Sequence, residues 1–218
     1  MLYYFHSEKR SIQVKYLIKE YKMKKGFTLI ELLIVISIVA VLSVVVLITL
    51  NPVELLRQGR DSTRFSDMAS VKSAIAYYLY GTSELAQSNG SSTFCYVYRV
   101  GAQATNAGCG GRYGSFTPAQ STFTKTDITG WIPVNLSQVP AGSGGAPLAT
   151  WPIDPAHPPA GTALNFANQT FYAYVASTTP IGFYEISARL ESSKFASSSD
   201  TDGGSTSTLY EVGTNLDY

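Results

Sequence analysis

Lys24-Lys25-Gly26-Phe27-Thr28-Leu29-Ile30-Glu31-Leu32-Leu33-Ile34-Val35 opens a run that stays apolar as far as Leu50. Between Phe27 and Leu50 lie 24 residues with a single charge, Glu31, and neither Gly nor Pro. At ~1.5 Å rise per residue a helix of that length covers ~36 Å, enough to cross a hydrocarbon layer of ~30 Å with some tilt. The run is apolar all round, so it has no polar face to turn to water while another packs on a soluble core. It reads as a transmembrane helix; a buried core helix is the alternative, and the length disfavours it.

Glu31 is the anomaly in that run. A carboxylate in a spanning helix is costly, and intramembrane ionisable groups usually have a partner. No basic residue within the run supplies one, and the simplest reading is that the side chain reaches up to the headgroups. A cut after Gly26 would create another partner, because Phe27 would then carry a free α-amino group. That ammonium on one molecule could pair with the Glu31 carboxylate of the next.

The segment Lys24-Lys25-Gly26-Phe27-Thr28-Leu29-Ile30-Glu31 resembles the processing site of type IV pilins and the pseudopilins of type II secretion. The resemblance implies that a prepilin peptidase cleaves after Gly26, that Phe27 is N-methylated, and that Glu31 takes part in filament assembly. It also implies the partners: copies of the chain, other pilins or pseudopilins, and an inner-membrane assembly platform, with membrane lipid around the helix. The expected fold is α+β and pilin-like, a long N-terminal transmembrane helix continuing into a globular domain with a small antiparallel sheet. Trp131-Ile132-Pro133-Val134-Asn135-Leu136, Trp151-Pro152-Ile153-Asp154-Pro155 and Tyr184-Glu185-Ile186-Ser187-Ala188-Arg189-Leu190-Glu191-Ser192 resemble the body of the major pseudopilin. Physically, the Trp and Pro residues order a loop, and Tyr184, Ile186, Ala188 and Leu190 form one face of a strand.

Residues 1–26 carry seven Lys or Arg and two Glu, which places the N-terminus in the cytoplasm and the C-terminal domain outside a bacterial inner membrane. They read as a leader that cleavage removes; Met23 begins MKKGFTLIELL, itself a sufficient leader, so residues 1–22 are a long leader or a translational over-extension. A secretory signal has a shorter apolar core with its cleavage site after it, so the span is retained. Residues 81–218 hold five basic and nine acidic groups without a basic stripe, and no nucleic-acid surface is indicated.

The chain thus divides into a leader (1–26), an assembly helix (27–50), its distal continuation (51–80) and a globular domain (81–218). Asn51-Pro52 suits an N-cap and a first-turn proline, although a kink in one continuous helix fits as well. From Val53 to Leu79, Phe65, Met68, Val71 or Lys72, Ile75 and Leu79 recur at helical spacing, and Gly81 closes the helix. Arg57–Asp61 and Arg64–Asp67 are spaced as same-face ion pairs on the charged side. Strands are expected at 94–100, 171–177, 183–190 and 209–212, the middle two joined by a hairpin turn, with Gly- and Pro-rich loops over 101–170.

Cys95 and Cys109, the only cysteines, are expected to form a disulfide outside the cytoplasm. Asp200 and Asp202 in Ser199-Asp200-Thr201-Asp202-Gly203-Gly204 offer hard oxygen ligands from a turning loop, which suits calcium, as major pseudopilins bind in a C-terminal loop. The same residues serve equally well in a metal-free surface turn, and no cofactor is required. No catalytic constellation is present: Asp154 and His157 sit in a proline-rich loop, and phosphate-binding and dinucleotide motifs are missing. The leading function is therefore a structural subunit of a type II secretion pseudopilus or a type IV pilus, not an enzyme. The alternative is a signal-anchored surface binding module in which Glu31 is incidental.

Overall fold

The computed structural model describes residues 26–82, 93–99, 109, 117–140, 142, 144–162, 164–178 and 182–217. The leader, but for Gly26, lies outside them. The chain divides into two compact units, Met1–Thr49 and Leu50–Tyr218. The first holds nearly all of helix α1 (Leu29–Leu50), none of whose 22 residues is buried and which is long and apolar enough to cross a membrane. Its hydroxyls are satisfied within the helix: Ser37, Ser43 and Thr49 donate to the carbonyls of Leu33, Val39 and Val45 at 2.8, 2.7 and 2.8 Å. A helix that meets its own polar demands in this way suits a medium without water.

In the second unit, helix α2 (Pro52–Gly81) starts at Asn51, which takes a left-handed conformation (φ 42°) and accepts from the Glu54 amide. That break makes α1 and α2 separate elements, with proline at the first helical position where its missing N–H costs nothing. The helix ends on Thr82, whose amide and hydroxyl both donate to the Tyr78 carbonyl (3.0 and 2.7 Å). Gly81 is therefore the last helical residue, and it is not the left-handed cap that its identity suggested.

Strands β1 (Phe94–Tyr98), β2 (Thr117–Ser121), β3 (Tyr172–Ala176), β4 (Tyr184–Ala188) and β5 (Tyr210–Gly213) form one sheet in the order β2-β1-β3-β4-β5. Four of them are antiparallel neighbours, and β3–β4 is the expected hairpin pair, Tyr174 opposite Ile186. The small antiparallel sheet expected from the sequence is these four strands; the fifth, β2, in a stretch read as loop, adds to its edge by pairing parallel to β1. Thr-Pro-Ala-Gln-Ser has no apolar alternation and a proline inside it, and proline is tolerated in a strand only at such an edge.

The sheet is covered on both sides. On one, Met68, Val71, Ile75 and Tyr78 of α2 pack with Trp131, Ile132, Leu136 and Trp151 over the alternate residues Tyr172, Tyr174, Tyr184 and Ile186. On the other, Val97, Ala173 and Val175 meet Leu164, Phe166, Phe171 and Leu209. Double coverage explains why every residue of β3 and β4 is buried. Truncating a fully buried side chain such as Ile75 in this core costs about 2–5 kcal/mol.

Candidate functional site

Gly26 and Phe27 precede the first turn of α1 and are exposed, Phe27 at 91%. Thr28 caps the helix. Its amide and hydroxyl both donate to Glu31 Oε2 (2.7 and 2.8 Å), and the Glu31 amide donates back to Thr28 Oγ1 at 3.3 Å. This reciprocal arrangement is a capping box, in which the carboxylate three residues into a helix satisfies amides that have no intrahelical partner. The same position places its negative charge at the positive end of the helix dipole. Glu31 therefore has an intramolecular partner, Thr28, which the sequence reading overlooked. The signal was there in Thr28-Leu29-Ile30-Glu31, a Thr-x-x-Glu pattern before an apolar run.

The second concentration of charge lies on the first half of α2, where same-face ion pairs were expected. Arg64 is completely buried and bidentate on Asp154, Nε to Oδ2 at 2.8 Å and Nη2 to Oδ1 at 2.9 Å. Its Nη1 reaches Asp61 at 2.7 Å and Glu191 at 3.1 Å, and Arg60 Nε donates to Glu191 at 2.6 Å. Asp61 also accepts from the amides of Glu191 and Ser192, and Asp154 from the Ala156 amide and the Thr170 hydroxyl. The anticipated pairs Arg57–Asp61 and Arg64–Asp67 do not form: Arg57 faces Glu54 at 3.7 Å, and Asp67 accepts from Tyr172 Oη at 2.7 Å.

Burial alone would raise the Asp61 and Glu191 carboxyls, but the amide and guanidinium bonds outweigh it and hold both below the usual range. Arg64 balances the same way: burial opposes its charge, and its bonds to Asp154, Asp61 and Glu191 prevail and raise it. Among the described residues Asp67 has the Tyr172 hydroxyl and no cation bonded to it, so burial pushes it up. A guanidinium fork matched to a carboxylate in a buried site fixes geometry as well as charge. Arg64 thereby pins two chain-distant loops, those of Asp154 and Glu191, to one turn of α2.

The remaining site residues are scattered. Cys95 of β1 and Cys109 are joined in a disulfide. His157 lies edge-on to Tyr98 and contacts its carbonyl at 3.3 Å. Asp202 accepts from the Gly204 and Glu211 amides (2.8 and 2.7 Å), while Asp200 is exposed at the end of a short 3-10 helix. Among the described residues no group of three or more His, Cys, Asp or Glu side chains comes together to hold a metal.

Residues 21–47 match the family described as the prokaryotic N-terminal methylation motif, a stretch that spans Gly26, Phe27 and Glu31. No curated protein and no solved structure matches the chain. With that motif on an apolar N-terminal helix, followed by an α+β unit of one long helix and a small sheet, the chain carries a prokaryotic N-terminal methylation motif ahead of a pilin-like α+β fold.

Proposed function

We propose that this chain is a structural subunit of a type II secretion pseudopilus or a type IV pilus, cleaved after Gly26 and polymerised through α1. The observation that carries the proposal is the methylation motif seated on an exposed Gly26-Phe27 pair just ahead of a capped apolar helix. A membrane peptidase needs an unwound, accessible bond, and this one lies outside the helix. Cleavage would leave the Phe27 amine to be methylated, and the ammonium of one subunit would meet the Glu31 carboxylate of its neighbour. Thr28 then acts as the interim partner: it holds the carboxylate at the helix start until the intermolecular cation arrives. The basic leader supports an N-terminus in the cytoplasm, and the three body stretches favour the major pseudopilin within the family. Asp200 and Asp202 are offered to calcium in the same reading.

Intact-mass and N-terminal analysis of membrane-extracted protein is the test. The chain should begin at Phe27, run 192 residues to Tyr218 and carry one added methyl. Retention of Met23-Lys24-Lys25-Gly26 in a peptidase-competent cell ends the processing claim. Glu31→Leu is expected to be processed yet fail to build fibres; normal fibres from that variant would remove the electrostatic step. Calcium should raise Tm reversibly in the parent and not in Asp200→Ala/Asp202→Ala, and no rise in the parent means no site.

A further inference from the structure

Beside the Arg64 cluster a cleft of about 430 Å³ opens between α2 and the chain that follows β4, lined among others by Arg57, Gln169, Arg189 and Glu191. All of it lies within the Leu50–Tyr218 unit. Its two guanidiniums are unlike Arg64. Arg189 is half-buried, donates Nη2 to the Phe166 carbonyl at 2.9 Å, and keeps a buried Nε for which the described residues supply no partner. No carboxylate among them bonds to it, and burial, opposed by no anion, lowers its pKa. Arg57 is 47% exposed and reaches Glu54 only at 3.7 Å, a carboxylate already taken by the Ser193 amide and hydroxyl at 2.7 and 2.8 Å. Glu191, the acid in the wall, is held by Arg60 at 2.6 Å and by Arg64 at 3.1 Å.

The chemistry of the wall says which ligand fits. Gln169 spends its side-chain carbonyl on the Asn165 amide at 2.8 Å, which leaves its NH₂ as a donor. The cleft therefore offers two guanidiniums and an amide donor, while its carboxylate is already engaged. A cation drawn out of water and left unpaired is costly, and an anion that meets it offsets that cost. Two unit charges match a dianion better than a single carboxylate. A phosphate monoester carries about −1.5 to −2 at neutral pH and has three strong acceptor oxygens. Planar guanidinium forks suit those oxygens. A volume of about 430 Å³ is within the range of small-molecule sites, roughly 300–1,000 Å³, and leaves room beyond the phosphate itself.

We infer that this cleft binds a phosphate group, free or as the monoester of a small molecule, with Arg57 and Arg189 as its counter-cations. The inference rests on neither the membrane span nor cleavage nor polymerisation. Arg57 belongs to the second turn of α2 and Arg189 directly follows β4, so a bound phosphate ties the start of the helix to the end of a central strand.

Isothermal titration calorimetry of the full chain in a non-ionic detergent tests it, with inorganic phosphate, glycerol phosphate, acetate and chloride compared at neutral pH and fixed ionic strength. Glycerol phosphate or inorganic phosphate should bind one-to-one, well ahead of acetate and chloride. Arg57→Ala and Arg189→Ala should each raise Kd about tenfold, the loss of one charge-assisted hydrogen bond. Asn168→Asp, at an exposed position in the wall, adds a negative charge without touching the core and should weaken binding too, which keeps the test open if Arg189→Ala does not fold. Equal Kd for the two phosphates supports a site for the free anion, and a lower Kd for glycerol phosphate supports one for the monoester. Failure of both to bind, acetate or chloride binding as tightly, or a Kd indifferent to the variants overturns the inference. So does a phosphate-dependent rise in Tm that persists undiminished in all three variants, which is the general effect of an excluded anion and not of a site. None of these readouts depends on filament formation, so failure here is distinct from failure of the subunit reading.

Discussion

Arg64 satisfies three carboxylates from a fully buried position, so its loss is not symmetrical with theirs. Arg64→Met leaves Asp61 and Asp154 buried without a countercharge and should cost about 3–5 kcal/mol in a urea titration of the folded unit. Arg64→Lys should lose much of the same stability, because a point charge cannot span both oxygens of Asp154. Arg60→Lys, on the half-exposed flank, should change little. The neighbouring acids titrate in opposite senses. Asp61 and Glu191 are held low, so their contribution is present above the unfolded carboxyl value of about 4 and is lost as pH falls through their depressed folded values. Asp67 is raised by burial, so its ionisation opposes the fold as pH climbs through that raised value. Asp67→Asn keeps an acceptor for Tyr172 and removes the charge. Its Tm should exceed the parent's at pH 7 and match it near pH 3, and a lower Tm at pH 7 would show that the ionised form is needed.

Among the elements, Asn51 governs the start of α2 through backbone shape more than through its long 3.4 Å cap. Asn51→Gly should therefore fall within a few tenths of a kcal/mol of the parent, whereas Asn51→Val should lose about 1–2 kcal/mol to left-handed strain, read by thermal melting. Helix α1 was fully legible, since a long apolar run without Gly or Pro keeps its backbone hydrogen bonds within itself as a helix. The stripe on α2 was legible from Met68 to Ile75. It failed at Asp61 and Arg64, because hydropathy assigns charges to solvent and cannot see that Asp154 and Glu191, about 90 and 127 residues from Arg64, fold onto them. Strands β3 and β4 announced themselves by alternation. Strand β2 did not, because an edge strand hydrogen-bonds through its backbone and asks little of its side chains.

For the molecule as a whole, the disulfide joins β1 to the segment that leads into β2 and closes a loop of 14 residues. In the chain-entropy account such a loop contributes about 3 kcal/mol. Cys95→Ser/Cys109→Ser, or treatment with reductant, should lower stability by about 2–4 kcal/mol, measured by denaturant melting, with the α2 face of the core retained. The methylation motif was legible in a stretch of 27 residues, 21–47, because it is written in residue identity and spacing, which a single sequence displays directly. The globular unit answers mainly to its own packing, which many sequences satisfy.

The order of contacts along α2 has a mechanical consequence. A tug transmitted through Leu50 travels up the helix and meets the Arg60–Arg64 cluster before it reaches the oily contacts from Met68 onward. Tension along the rod is therefore taken first by short, directional ionic links that resist shear, and only afterwards by slippery ones that do not. The cluster is a brake near the start of α2, set where the packed unit would otherwise begin to peel.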